Sequence, residues 1–237
     1  MKYPIDLHCH TVASGHAYST LQELAREAAN KNLKVLGISD HGPAMPGGAH
    51  LFHFYNLRVT PEEIYGVRIL RGIEANILDE NGSLDAPTEC LEQLDYVIAS
   101  LHPPCFNSGT AKENTKAVIN AMKNPFVKII GHPDDSRFPL DYEELVKAAK
   151  EHKVLLEINN SSLNVKSFRE GALENTRTLL KICKEQNVKV ILGSDAHISF
   201  HVGEFSNCLK VLEEVNFPED LIANGSEDTT MLYLENL

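Results

Sequence analysis

Short apolar runs alternate with amphipathic segments along the 237 residues. The apolar runs predict β-strands near residues 3–8, 34–39, 67–74, 95–101, 127–131, 153–158 and 188–194. The clearest are Val35-Leu36-Gly37-Ile38, Tyr96-Val97-Ile98-Ala99 and Val188-Lys189-Val190-Ile191-Leu192. Near-continuous runs of this kind fit strands covered on both faces. A helix is expected after Ser19, with Leu21, Leu24, Ala25 and Ala28 on one face and Ser19/Gln22 as a capping box. Further helices are expected near 111–123, 141–151, 170–186 and 204–215, and a short terminal helix from Pro218. The stretch 43–66 contains Pro43, Pro46, Gly47 and Gly48 and reads as a loop or lid with little regular structure.

Seven strands, each followed by a helix or crossover, fit either a closed parallel barrel or an open doubly wound sheet. Periodicity does not separate the two. No low-complexity segment or Pro/Gly-rich linker interrupts the pattern, so residues 1–237 read as one domain, a common size for a barrel.

The polar residues favour the barrel. Asp6-Leu7-His8-Cys9-His10-Thr11 ends the first strand, and side chains two apart in an extended chain point the same way. His8 and His10 can therefore face one point. The second strand ends at Asp40-His41, the third at Glu74, the fourth at His102, the fifth at His132 and the seventh at Asp195-Ala196-His197. A lone histidine at a strand end is more often a hydrogen-bonded polar residue than a ligand. Six strand ends carrying such residues point to a shared metal site, because the C-terminal ends of barrel strands converge on one face. Histidine and carboxylate suit zinc, iron or manganese. With His16, seven histidines stand beside Glu74 and Asp195, too many for one ion, and Glu74 is the natural bridging carboxylate. His16 lies in a loop and has little weight alone. His50 and His53 read as lid residues, His152 as a residue completing a helix end, and His201 stays open.

The net charge of −11 argues against a nucleic-acid or membrane-surface binder, but not against an anionic substrate approaching bound cations. No apolar run approaches a membrane span, and the N-terminus has no secretory pattern, so a cytoplasmic location is expected. The five cysteines contain no CxxC and read as buried thiols. Alternation points Cys9 away from its histidine neighbours.

Together, Asp6-Leu7-His8-Cys9-His10-Thr11, Ser39-Asp40-His41-Gly42, Gly72-Ile73-Glu74, Ser100-Leu101-His102, Gly131-His132-Pro133 and Gly193-Ser194-Asp195-Ala196-His197 resemble the PHP (polymerase and histidinol phosphatase) superfamily. Within it the sequence is similar to the small stand-alone phosphatases of the YcdX-like group. The resemblance implies a distorted (β/α)7 TIM-like barrel with a trinuclear metal centre. It implies that His8 and His10 bind a first ion with Glu74 and Asp195. Glu74 would bridge to a second ion held by His102 and His132, and His16, His41 and His197 would hold the third. Zinc is the implied metal, with manganese and iron known among relatives. Asp40 would either orient a ligand histidine or cap the following turn.

The expected reaction is hydrolysis of a small phosphate monoester by metal-activated hydroxide, with Glu74 and Asp195 as the catalytic carboxylates. The proton donor to the leaving group stays open between Asp195 and a metal-bound water. Arg137, Lys166 and Arg169 are read either as solvated charges or as contacts for a second substrate anion. The alternatives are a phosphodiesterase or exonuclease of the same superfamily, an amidohydrolase-like enzyme, and a non-catalytic metal-binding regulatory domain. The amidohydrolase reading lacks its bridging lysine, since the fourth strand ends Ser100-Leu101-His102. Oligomeric state and physiological substrate are not readable from the sequence.

Overall fold

A computed structural model describes residues 2–235. Its strands are β1 Ile5–Asp6, β2 Val35–Ile38, β3 Glu63–Ile64, β4 Val67–Asn76, β5 Tyr96–Ser100, β6 Val127–Ile130, β7 Leu155–Asn159 and β8 Val190–Gly193. Seven run parallel in the order β1-β2-β4-β5-β6-β7-β8, while β3 pairs antiparallel with β4. A single parallel bridge between Cys9 and Ala196 joins the two ends of the sheet, so the barrel is nearly closed. Its helices are α1 Leu21–Asn30, α2 Leu51–Asn56, α3 Thr88–Leu91, α4 Ala111–Met122, α5 Tyr142–His152, α6 Ala172–Gln186, α7 Ser206–Glu214 and α8 Glu227–Leu234. None of the helices among the described residues is long and apolar enough to cross a membrane.

Alternation along the strands builds two apolar layers. Inward residues Ile5, Val35, Leu70, Tyr96, Ile98, Ile129, Leu155 and Ile191 fill the barrel, and Ala223 and Leu234 join them. Outward residues pack under the helices, as where Leu36, Ile38 and Ile69 meet Leu24, Ala25 and Ala28 of α1. Tyr96 spans the interior and donates its hydroxyl to the Leu7 carbonyl at 2.6 Å. Gly37 and Gly72 make room for it: a Cβ at either would lie 2.2 and 2.4 Å from Tyr96 atoms.

The observed elements correct three expectations. The capping box of α1 is Thr20/Glu23, because Ser19 is buried and accepts instead from the Ser199 amide. The stretch 43–66 contains α2 and β3 rather than loop alone. Phe54 and Leu57 anchor that segment in the main core, and Tyr65-Gly66, both at positive φ, turn β3 into β4 as a two-residue hairpin. Both elements are too short for periodicity to reveal. Pro218 precedes a single 3-10 turn at Glu219–Leu221, and the terminal α-helix begins later, capped by Ser226.

Candidate metal centre

The structure brings all nine candidate residues to the C-terminal end of the barrel. Histidine rings follow one another around the opening: His16 to His41 at 4.9 Å between centroids, His41 to His10 at 4.4 Å, His10 to His8 at 5.1 Å, His41 to His102 at 5.0 Å and His102 to His132 at 5.0 Å. His197 stacks between His10 and His16 at 4.3 and 5.0 Å. Glu74 stands in the middle, fully buried. Its Oε1 faces His132 Nε2 at 2.9 Å, His102 Nε2 at 3.3 Å and His8 Nε2 at 3.4 Å. Its Oε2 faces His41 Nδ1 at 2.7 Å and His10 Nε2 at 3.6 Å. Asp195 Oδ1 faces His10 Nε2 at 3.3 Å, His197 Nδ1 at 3.4 Å and His8 Nε2 at 3.7 Å. Asp195 and His132 both hold positive φ, 54° and 29°, a strained backbone of the kind functional sites retain.

Six buried polar atoms here make no hydrogen bond of good geometry, His41 Nδ1 and Glu74 Oε2 being close but misaligned: His8 Nε2, His10 Nε2, His41 Nδ1, His102 Nε2, His132 Nδ1 and Glu74 Oε2. Leaving one such atom unsatisfied costs about 1–3 kcal/mol. Nitrogen and carboxylate donors left unpaired around one buried point fit divalent cations. Three groups have donor atoms within 4.8 Å of one another: His8, His10 and Glu74; His41, Glu74 and His102; His10, His41 and His197. These groups cut across the sets drawn from the sequence. His41 lies between Glu74 and His197, and His16, His132 and Asp195 lie outside the three.

A second layer of side chains selects the ring tautomers. Ser14 has one proton, and it goes to Asp40 Oδ1 at 2.7 Å, an ionised acceptor. Ser14 Oγ must therefore accept from His10 Nδ1 at 3.2 Å, which leaves His10 Nε2 with a free lone pair. The Nδ1 atoms of His8, His102 and His197 likewise face acceptors: Glu157 Oε1 at 2.6 Å, Asn76 Oδ1 at 2.8 Å and the Asp195 carbonyl at 3.1 Å.

A model of the PHP domain matches residues 6–167. The chain belongs to the PHP family. A probable phosphatase of Clostridium novyi is 48% identical over 236 residues, covering 100% of this chain and 96% of the relative. A probable phosphatase of Acetivibrio thermocellus is 50% identical over 235 residues, covering 99% and 96%. Among solved structures, histidinol phosphate phosphatase from Lactococcus lactis subsp. lactis, complexed with zinc, L-histidinol and phosphate, superposes with a TM-score of 0.65. It is 18% identical and the match covers 91% of this chain and 95% of that one, a likeness of fold.

The electrostatics of this PHP site follow from burial set against close charges. Burial opposes ionisation of Glu74, but His102, His41 and His8 outweigh it and hold the carboxyl well below its usual range. Burial is likewise outweighed at Asp195, by His8, His10, Arg169 and His197. Asp195 is thus a carboxylate, poorly suited to donate a proton. Burial disfavours the cationic form of His8, yet Glu157, Glu74 and Asp195 raise its pKa well above normal. Burial and the nearby His197 and His41 push His10 down, and burial takes His102 to about 4.

Above the histidines of the PHP site opens a cleft of about 610 Å³, with Met45, Pro103 and Pro104 on one side and the loop 161–169 on another. Arg137, Lys166 and Arg169 all line it. Arg169 is not a solvated charge: its side chain is 9% exposed, and Nη1 donates to Asn159, Ser162 and Asp195. Arg137 is half-exposed, paired with Asp135 and lying over the Phe168 ring. Lys166 is exposed at the rim.

The remaining histidines separate from the cluster. His50 caps α2, His152 ends α5 and His201 lines the cleft. His53 hydrogen-bonds Asp40 at 3.0 Å. Asp40 makes no hydrogen bond to a candidate ligand: it accepts from Thr11, Ser14 and His53, and reaches His10 only through Ser14. Cys9 is buried beside Ser194, facing away from the cluster, and burial pushes the Cys105 thiol up to about 11. Sequence reasoning missed Glu157, Asn76 and Ser14. For Glu157 a signal existed: Leu155-Leu156-Glu157-Ile158-Asn159 places one acid inside an apolar strand.

Proposed function

We propose that the chain hydrolyses phosphate monoesters of small molecules at a centre of three divalent ions, zinc by preference, with manganese or iron able to substitute. The enzyme is a phosphatase of the PHP family. In the proposed assignment, His8, His10, Glu74 and Asp195 hold one ion, Glu74, His102 and His132 a second, and His16, His41 and His197 the third. The observation that carries the reading is the set of unpaired buried atoms around Glu74, which divalent cations would satisfy together. Zinc is favoured by the imidazole-rich donor set. The structurally similar Lactococcus lactis phosphatase was also solved with zinc.

Bound divalent ions supply a water of lowered pKa and neutralise charge on a transferring phosphoryl group. The chain's own part is positioning. Glu74 Oε1 faces His132, His102 and His8 and its Oε2 faces His41 and His10, so one carboxylate reaches histidines of all three proposed ions. Arg169 holds Asp195 by its second oxygen, Oδ2, and leaves Oδ1 toward His10 and His8. A cleft of about 610 Å³ has the scale of a small-molecule site. The acidic chain favours no polyanionic nucleic acid. The five cysteines are all free, which suits the cytoplasm.

The test is elemental analysis of the purified protein combined with a panel of aryl phosphate monoester, diester and amide substrates. Monoesterase activity lost to a chelator and restored by zinc or manganese is the expected result. Diester preference would favour a phosphodiesterase, and metal binding without hydrolysis would favour a regulatory domain.

A further inference from the structure

We infer that Glu157 is a positioning residue that fixes His8 and His132 together, and so sets the affinity of the metal centre. The inference rests on the proposed metal reading. Glu157 comes from β7, the one strand of the barrel that contributes no candidate ligand. Its side chain is 1% exposed, lies beneath the histidines and divides its two oxygens. Oε1 lies 2.6 Å from His8 Nδ1. Oε2 accepts the backbone N–H of His132 at 2.7 Å and an Asn159 amide hydrogen at 3.1 Å.

Both contacts act on groups that need holding. A carboxylate only accepts, so His8 Nδ1 keeps its proton, and a cation entering the centre displaces a proton from Nε2 alone. His132 sits at φ 29°, a conformation other backbone contacts must impose, and Glu157 grips its amide. The neighbouring strand makes space for this carboxylate: a Cβ at Gly193 would fall 1.8 Å from Oε1. One side chain therefore constrains a ring just past β1 and a backbone just past β6, whose rings both face Glu74 Oε1.

Glu157→Gln preserves shape but replaces one acceptor with a donor. Either His8 or the His132 amide then faces an N–H instead of an oxygen. Zinc affinity is measured by competition with a chromophoric chelator at neutral pH for wild type, Glu157→Gln and Glu157→Ala, with circular dichroism of the metal-free proteins as a check on folding. The expected result is a loss of affinity of about 10–100-fold in both variants, with full zinc content regained at excess metal. Wild-type affinity in either folded variant overturns the inference. Should both variants fail to fold, 15N spectra of zinc-loaded wild type decide: His8 must show a protonated Nδ1, and a protonated Nε2 overturns the assignment. Absence of zinc binding by wild type would instead overturn the metal reading itself.

Discussion

Arg169 Nη1 lies 3.1 Å from Asp195 Oδ2, and the pair is buried beside the histidine cluster. The same nitrogen also donates to Ser162 Oγ and Asn159 Oδ1, so the guanidinium fixes Asp195 from behind. Its Nε is buried without a hydrogen-bond partner, and the residue lines the cleft. Lysine carries a compact, strongly hydrated ammonium on a flexible stem and does not reproduce the planar guanidinium that sets Nη1 on these three acceptors. Arg169→Lys is expected to lower kcat/KM for a phosphate monoester by about 10–100-fold, the range for losing a residue that orients a ligand. Arg169→Met should lose at least as much. Unchanged steady-state kinetics in both would show that Arg169 serves packing alone.

Glu74 faces five histidines with two oxygens, so its removal strikes more than one proposed ion. Glu74→Ala is expected to empty the second site, left with His102 and His132 alone, and to weaken the first, which keeps His8, His10 and Asp195, since each site needs three or four protein ligands. Glu74→Gln keeps the volume but loses the charge and should fall between. Mass spectrometry of metal content after dialysis checks both. Full metal content with full activity in Glu74→Ala would remove the bridging role.

The barrel was legible in the sequence because its strands are buried on both faces and end in chemistry. Ile38-Ser39-Asp40-His41 and Ile130-Gly131-His132 each announce a strand and a site residue together. The second layer was harder to read. Ser14 and Asn76 are ordinary residue types whose meaning appears only when the fold sets them against His10 and His102. Arg169 shows the same limit from the other side. It lies in a polar loop that reads as solvent-exposed, and only tertiary contacts carry its side chain under the cleft. The helix at 51–56 was hidden because six residues hold less than two turns of periodicity.

The acid limb of stability should carry a signature of Asp40. Burial alone would raise its pKa, but His53 and Ser14, with the charge of His10, bring it to about 2 from 3.8. The unfolded chain thus binds a proton at Asp40 before the folded chain does. Its contribution is complete above about pH 4 and disappears as the pH falls through about 2. The shift corresponds to about 2 kcal/mol. Urea unfolding of metal-free wild type and Asp40→Asn should show a difference that is flat above pH 4 and shrinks by about that amount toward pH 2. A difference independent of pH would contradict the assignment.

Tyr96 supplies a test of the barrel apart from the metals. Its ring is wholly buried between Gly37 and Gly72, and its hydroxyl donates to the Leu7 carbonyl one residue before His8. Tyr96→Phe keeps the ring and removes the hydrogen bond, at an expected cost of about 1–2 kcal/mol. Gly72→Ala inserts a Cβ 2.4 Å from the ring and should cost more, about 1–3 kcal/mol, because the surrounding interior is packed. Combining the two should give less than the sum, since both act on one side chain. Unfolding midpoints of the three metal-free variants measure this directly. Strict additivity would mean that the hydroxyl's bond to Leu7 does not hold the ring against Gly72, since Phe keeps the ring atoms that a Cβ at Gly72 would meet.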